Sequence, residues 1–420
     1  MHRPLFRSVL FLFCTAAPSI AAEASPDAFL AEVVTGNPEL RFYEAELAAA
    51  RASVRIAAAP ADPEFSIEAG HKRVHTATGT LAGEGTAWSV SLSQTFAWPG
   101  RLALRKAIAD REVELAELGL ARFKAALAAR TRTLVHGLHA AHTKADAAAE
   151  VAERFAALRE TFLARDPAGL SPLLETRVIE ARELALQRRA TEAQLALHAA
   201  LVELNQLRGQ AVEAPLRIAG TPLVFQSAPT LDALLASAWE NNFELRAREL
   251  ELEQQGYAVR LARNERRAGV TLSPFYSQEK AGDRETVVGL GLSVPLPITA
   301  RGRASIELAA ARQRQAEASV LIAHRELERE VTITARAFTT KLAEIQRWSP
   351  DSVTKFREAA ALADRHYRLG SVSLATYTEL QESYLDAVDA LLDTQREILQ
   401  AGLQLELLTG LEFHPVKGTP

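Results

Sequence analysis

The sequence contains few side chains whose types and spacing fit catalysis or metal binding. His136, His139 and His142 stand three residues apart in a segment with helical periodicity. Metal-binding histidines on a helix more often stand four apart, and each step of three drifts by about 60° around the helix axis. We therefore predict that these histidines lie on an exposed or lumenal helix face, with metal binding as the weaker alternative.

Enzyme motifs are missing from the sequence. It has no Cys-x-x-Cys, no His-Glu-x-x-His, no Gly-x-Ser-x-Gly and no Walker phosphate-binding loop. Gly289 and Gly291 belong to an alternating strand pattern and do not join a strand to a helix, so they do not predict a nucleotide site. We predict no catalytic residue, no cofactor and no enzymatic activity.

Two glutamates follow predicted reversals of long helices. Glu175 follows the reversal at 166–169, and Glu379 follows the one at 369–371. Acidic side chains on polar helix turns are usually solvated surface. If several copies of the chain surrounded one axis, however, the same acids would form a ring that selects cations.

Residues 85–99 predict a strand with one apolar and one polar face, because apolar side chains alternate with serine and threonine. The apolar positions are Trp88, Val90, Leu92 and Phe96. Trp98 stands ten residues after Trp88, which places both tryptophans on the apolar face of one strand. In a strand tilted by about 40° they would stand roughly 25 Å apart along the membrane normal, the height of an outer-membrane apolar band.

The strand predicted near 286–294 alternates in the same way. We expect one set of side chains to face lipid, namely Trp88, Val90, Leu92, Trp98, Val288, Leu290 and Leu292. We expect the other set to face a pore, namely Ser91, Ser93, Gly289 and Gly291.

The sequence repeats its organisation with a period near 200 residues. Asn37-Pro38-Glu39-Leu40-Arg41 is echoed by Asn242-Phe243-Glu244-Leu245-Arg246, and Gly209 by Gly410. Such duplication indicates two copies of one structural unit.

We predict repeat 1 at 23–209, with a helix at 26–59, strands near 63–71 and 86–97 and a helical hairpin at 101–208. Repeat 2 is predicted at 230–411, with a helix at 230–267, strands near 269–278 and 286–294 and a hairpin at 303–409, its first helix running to 368. Residues 210–229 form the linker and 412–420 a tail.

The N-terminus predicts a secretory signal peptide over residues 1–22. Arg3 and Arg7 precede a short apolar run that ends in small residues. Cys14 is the only cysteine, and the bulky Phe13 before it disfavours a lipid anchor.

Removal of residues 1–22 changes the net charge from −4 to −6, which excludes a strongly basic nucleic-acid binder. No later segment has about 18 uninterrupted apolar residues, so no transmembrane helix is predicted.

Four strands in one chain cannot close a barrel, so the strands require other copies of the chain. Three copies would supply twelve strands, an even number found in bacterial outer membranes. The predicted long helices carry apolar residues spaced three, four or seven apart, such as Leu391, Ile398 and Leu405. This spacing is typical of coiled-coil pairing.

These features resemble the TolC-like outer membrane efflux proteins, also called outer membrane factors. The resemblance rests on the duplicated unit, on the run Ser-Gln-Thr-Phe-Ala-Trp-Pro-Gly at 93–100 and on Tyr367-Arg368-Leu369-Gly370. It implies a mainly α fold with a small β part, in which a homotrimer forms a twelve-stranded β-barrel continued by a twelve-helix coiled-coil α-barrel. The Trp-Pro-Gly turn is similar to that of the heavy-metal efflux branch.

The resemblance also implies a location, partners and site residues. The location is the outer membrane of a Gram-negative bacterium, in contact with its lipid, with a helical tunnel in the periplasm. The partners are a periplasmic adaptor (membrane fusion protein) and an inner-membrane pump of the resistance-nodulation-division type, with no nucleic acid. The implied cation gate is formed by Glu379 and Glu175, and the adaptor-docking tip by Tyr367, Arg368, Leu369, Gly370 and Gly169.

The expected function is passive export of metal cations or small toxic compounds. One alternative is a periplasmic coiled-coil adaptor or scaffold, which the alternating strands with rim tryptophans disfavour. A second alternative is the outer-membrane duct of type I protein secretion.

Overall fold

The structure is a computed structural model that describes residues 26–165, 173–216, 218, 223–349 and 351–416. It is mainly helical, with one four-stranded antiparallel sheet. The predicted signal peptide at 1–22, with Cys14, and the predicted tip residue Gly169 lie outside the described residues.

The first repeat has two helices, two strands and two long helices. Its elements are α1 (Pro26–Gly36), α2 (Pro38–Ala58), β1 (Glu64–His75), β2 (Leu81–Phe96), α3 (Arg101–Arg165) and α4 (Leu173–Leu207). The second repeat has the same order, except that its first long helix is divided. Its elements are α5 (Leu231–Asn241), α6 (Phe243–Glu265), β3 (Val270–Ala281), β4 (Asp283–Ser293), α7 (Arg301–Gln346), α8 (Ser352–Arg368) and α9 (Leu374–Thr409).

Three helices predicted as continuous are interrupted. The helix predicted at 26–59 breaks at Asn37, and the one at 230–267 breaks at Asn242, because each asparagine takes an extended backbone conformation and caps the next helix with its side chain. The helix predicted from 303 to 368 ends at Gln346 and resumes at Ser352. The sequence of this break contains Pro350, which cannot donate the hydrogen bond of a continuing helix.

Both strand hairpins have tighter turns than the sequence predicts. The segments 72–85 and 279–285, which separate the predicted strands, are mostly strand, and the turns narrow to residues 76–80 and to Gly282. Gly282 has a φ of 105°, which favours glycine. Charged side chains therefore lie on the strands themselves and alternate between the two faces of the sheet.

The chain divides into two compact units that cut across the repeats. The first unit contains α1, α4, α8, residues 134–165 of α3 and the part of α9 up to Asp389; its fully buried side chains include Phe155 and Tyr377. The second unit contains α2, the sheet, α5 to α7, the start of α3 and the end of α9. Its apolar core includes Phe338, which is fully buried.

The repeat signature around Asn242 and Gly410 has a structural explanation in the second unit. The Asn242 side chain caps α6 by accepting from Leu245 N at 2.9 Å, and it donates to the Leu408 carbonyl at 2.9 Å. Gly410 ends α9 with a φ of 66° and lies against Asn241, where a Cβ would come within 2.6 Å of the Asn241 Cβ. These residue types therefore recur because they join a helix start to the end of a hairpin.

Within the described ranges, no helix is both long and apolar enough to cross a lipid bilayer.

Candidate functional site: an amphipathic sheet and a helical tip

The sheet has one apolar and one polar face across all four strands. Its order is β1-β2-β3-β4, and residues directly opposite each other on neighbouring strands share a face. Phe65 pairs with Leu92, and Tyr276 pairs with Val288. The apolar face therefore carries Phe65, Ile67, Trp88, Val90, Leu92, Leu272, Tyr276, Val288, Leu290 and Leu292.

The apolar face is exposed in the single chain. Ile67 is 66% exposed, Leu290 67% and Val288 75%. A soluble monomer rarely leaves so many neighbouring apolar side chains in water. This face therefore requires a cover of lipid or protein.

The opposite face carries small polar residues. Ser93 and Ser273 are joined through their hydroxyl groups at 2.9 Å. Gly289 leaves room for the Phe275 ring, because a Cβ there would lie 2.6 Å from two ring carbons. The residues predicted to face a pore (Ser91, Ser93, Gly289 and Gly291) lie together on this face, opposite the strand residues predicted to face lipid.

The Trp98 prediction needs a correction. The sequence placed Trp98 on the same strand face as Trp88, but β2 ends at Phe96. Trp98 instead begins a turn in which Arg101 N donates to its carbonyl, and the Arg267 guanidinium lies 5.6 Å from the centre of its ring. Pro99 contributes to this turn because it cannot donate a hydrogen bond to a neighbouring strand.

The turn from strand to helix is held by side chains. Arg101, the first residue of α3, donates to the carbonyl oxygen of Asn264 at 3.3 Å and to that of Arg267 at 2.5 Å. The Asn264 side chain donates to the Pro99 carbonyl at 3.1 Å. These bonds connect the two places where helices meet the sheet, after β2 and before β3.

The predicted second tip is a glycine-ended helix. Gly370 N donates to the Tyr367 carbonyl at 2.9 Å, and Ser371 N donates to the His366 carbonyl at 2.8 Å. This is a Schellman ending, and it uses the left-handed backbone of Gly370, with a φ of 75°. Leu369 is 77% exposed at the turn, so an apolar side chain stands in solvent beside the glycine.

A stack of three aromatic rings supports this tip. The Tyr377 ring lies 5.2 Å from the Tyr367 ring and 5.0 Å from the Phe155 ring, measured between centroids. Burial, followed by the nearby Asp364 carboxylate, raises the pKa of the Tyr377 hydroxyl. Asp364 also accepts a hydrogen bond from Arg368 at 2.9 Å. Tyr367 and Arg368 therefore have packing roles in addition to any role in docking.

Of the two predicted gate residues, only Glu379 has a side chain that the structure describes. Glu379 is exposed on α9, two residues after the buried Tyr377, and it forms no ion pair or hydrogen bond with any described side chain. Glu175 lies in α4, but its side chain is outside the described part of the chain.

A charge ladder beyond Glu379 was missed by the sequence analysis. Glu382 pairs with Arg182, and Asp386 and Asp389 both pair with Arg189, at 3.2 and 2.5 Å. The acids at 379, 382, 386 and 389 are spaced three or four apart, which would have indicated one helix face. The position of their arginine partners on α4 required the structure.

The three histidines stay weak metal candidates. Burial, followed by the neighbouring His139, lowers the pKa of the His136 imidazole. Among the described residues, no group of three or more His, Cys, Asp and Glu side chains is arranged to hold a metal ion.

A small sheet with one exposed apolar face, combined with paired long helices in two copies, has the architecture of outer-membrane channels. Residues 234–411 match the model of the outer membrane efflux protein family. Comparison with curated protein sequences gives no match.

Solved structures extend this similarity over both repeats. A membrane protein from Pseudomonas aeruginosa superposes with a TM-score of 0.76 at 18% identity, covering 93% of this chain and 91% of that one. The open state of the Neisseria gonorrhoeae MtrE outer membrane channel gives 0.70 at 16% identity, with coverage of 94% and 91%. The Campylobacter jejuni CmeC outer membrane channel gives 0.71 at 15% identity, with coverage of 92% and 85%. At such identities the similarity establishes the fold.

Proposed function

We propose that the chain is the outer-membrane exit duct of a tripartite efflux system. It would conduct cargo passively, without catalysis, from an inner-membrane pump of the resistance-nodulation-division type and a periplasmic adaptor to the outside of a Gram-negative cell. The observation that carries this proposal is the exposed apolar face of a sheet whose opposite face is small and polar. Lipid would cover the first face, and a water-filled pore would lie against the second.

The edges of the sheet support a homotrimer. β1 and β4 each have one strand partner in the described chain, so each keeps an open edge of backbone donors and acceptors. Such an edge cannot remain unpaired in lipid. β1 of one copy can pair with β4 of the next and keep every neighbour antiparallel, and three copies close a barrel of twelve strands.

Reconstitution tests this function directly. The purified protein should run as a trimer that dissociates on heating, and it should form channels in planar bilayers. Expression in a strain that lacks its own efflux duct should restore resistance to a cargo of the pump. Protein that stays monomeric and soluble, without conductance, would contradict the duct and favour the adaptor or scaffold alternative.

Cargo assays distinguish the remaining alternatives. Metal cations or small toxic compounds are the proposed cargo, and an acidic constriction at Glu379 would suit cations. Restored resistance to divalent metal salts would support the heavy-metal branch. Export of a protein substrate with no change in resistance would instead support a duct of type I secretion.

A charge change at Glu379 should alter ion selectivity. If three copies of Glu379 line the narrow end, the trimer conducts cations preferentially. We expect Glu379→Gln to weaken this preference and Glu379→Lys to reverse it, as measured by reversal potentials in a salt gradient. Glu382→Gln is a matched control, because Glu382 already pairs with Arg182, and it should change selectivity little. Unchanged selectivity in both Glu379 variants would place this residue outside the constriction.

A charged substitution at the tip should block export without blocking assembly. Leu369→Glu combined with Gly370→Lys replaces an exposed apolar contact, which is a candidate adaptor surface. We expect normal trimers in the outer membrane and loss of export in a resistance assay. Gly370→Ala is the control for backbone strain, since it is costly at a φ of 75° but adds no charge, and it should retain most export. Failure of the double variant to trimerise would give the tip a structural role only.

A further inference from the structure

We propose that Lys280 and Arg284 bind phosphate groups of the glycolipid in the outer leaflet of the membrane. This inference rests on the proposed location of the sheet in the outer membrane. It assigns a ligand to charged side chains at the rim of the sheet, a region that the export function does not use.

The level of these cations on the sheet is set by strand register. On the apolar face, Trp88 pairs with Gln278, and Gln278 pairs with Thr286. The next row on the same face, two residues further toward the hairpin turns, contains the direct pair Lys280 and Arg284. This step is about 7 Å along a strand. The cations therefore stand just beyond the last aromatic residue, at the height where lipid headgroups begin.

The charges of β3 and β4 are sorted between the two faces. Glu279 and Glu285 are the chain neighbours of Lys280 and Arg284, and they lie on the opposite, pore-side face. There Lys72 donates to the Glu279 carboxylate and, at 3.1 Å, to that of Glu285. Gly85 stands opposite Lys72 on β2 and places no side chain between them. The acids are therefore paired on the pore side, away from Lys280 and Arg284.

The two cations have no such partner. Lys280 and Arg284 are both exposed, and neither side chain forms an ion pair or hydrogen bond with another described residue. Like charges directly opposite on neighbouring strands repel each other. An anion between them would relieve this repulsion, and a phosphate oxygen accepts hydrogen bonds from both ammonium and guanidinium groups.

The direction of the sheet selects the outer leaflet. Helices enter and leave the sheet beside Phe96 and Val270, at the end opposite the hairpin turns. In an outer-membrane duct those helices extend into the periplasm, so the turns and the cation pair face outward. The phosphates at that height belong to the glucosamine-based lipid of the outer leaflet, and a trimer would present six cations to them.

Lipid titration of the purified full-length trimer tests the inference. The probes are diphosphoryl lipid A, the same lipid without phosphates, and phosphatidylglycerol, each added in a neutral detergent and followed by native mass spectrometry. We expect wild type to bind the diphosphoryl lipid at least tenfold tighter than either other probe. Lys280→Gln/Arg284→Gln should bind it about 30-fold more weakly than wild type.

Two further double variants test whether lipid binding depends on positive charge at positions 280 and 284. Lys280→Arg/Arg284→Lys keeps both charges and should bind like wild type. Arg325→Gln/Arg329→Gln removes two exposed arginines from α7 and should also leave lipid binding unchanged. Equal binding of the phosphate-free lipid, equal binding of phosphatidylglycerol, or normal binding by the Gln double variant would overturn the inference.

Channel recordings separate this inference from the proposed function. A wild-type trimer that conducts in planar bilayers but shows no phosphate-dependent lipid binding would overturn the lipid site alone. A wild-type protein that neither trimerises nor conducts would overturn the duct and the lipid site together.

Discussion

Replacement of Leu92 by arginine should destabilise the proposed membrane-inserted trimer by about 2–4 kcal/mol per chain, the cost of a cation near the centre of an outer-membrane apolar band. The apolar face extends from Phe96 to Trp88 along β2, and Leu92 lies midway between them. Its strand partner Phe65 is equally apolar and is 66% exposed, so no described side chain there can neutralise the new charge. Urea unfolding of the trimer in lipid vesicles would measure this loss.

Ser91→Arg is the matched control for Leu92→Arg. Ser91 is adjacent in sequence but lies on the opposite face, beside Ser66 and Phe275. A cation there would enter the proposed water-filled pore, and we expect trimer stability within about 1 kcal/mol of wild type. Normal stability of Leu92→Arg together with loss for Ser91→Arg would reverse the assignment of the two faces.

Replacement of Tyr377 by alanine should destabilise the tip region by about 3–5 kcal/mol, as expected for removal of a fully buried aromatic side chain. Tyr377 is 0% exposed and fills the space between Tyr367 and Phe155. Its loss leaves a cavity where α8 and α9 meet α3. Hydrogen exchange should show faster opening of residues 355–385, while protection in β1 to β4 stays unchanged.

Tyr377→Phe separates the ring from the hydroxyl. It keeps the aromatic stack and removes one polar group, so we expect a change of no more than about 1 kcal/mol. Wild-type exchange rates in Tyr377→Ala would mean that the stack does not support the tip. Equal losses of stability in the Ala and Phe variants would mean that the stabilisation comes from the hydroxyl and its neighbour Asp364, and not from the ring.

The sequence by itself determined the faces of the strands and the duplication. The period-two pattern of Val90, Leu92, Val288 and Leu290 survives in the structure because side chains on a strand must alternate between faces. The echo of Asn37 by Asn242 correctly indicated two copies of one unit, since both asparagines cap a helix. Strand alternation and helix capping depend on residues that are close together in the sequence, so both can be predicted from backbone geometry alone.

Only the tertiary structure decided which distant residues meet. Trp98 looked like a continuation of β2, but contacts with Arg267, far along the chain, place it in a turn. The pairing of Lys72 with Glu279 and Glu285, and the isolation of Lys280 and Arg284, depend on the register between hairpins about 200 residues apart. A shift of one residue would move every charge to the other face, and no local pattern specifies that register.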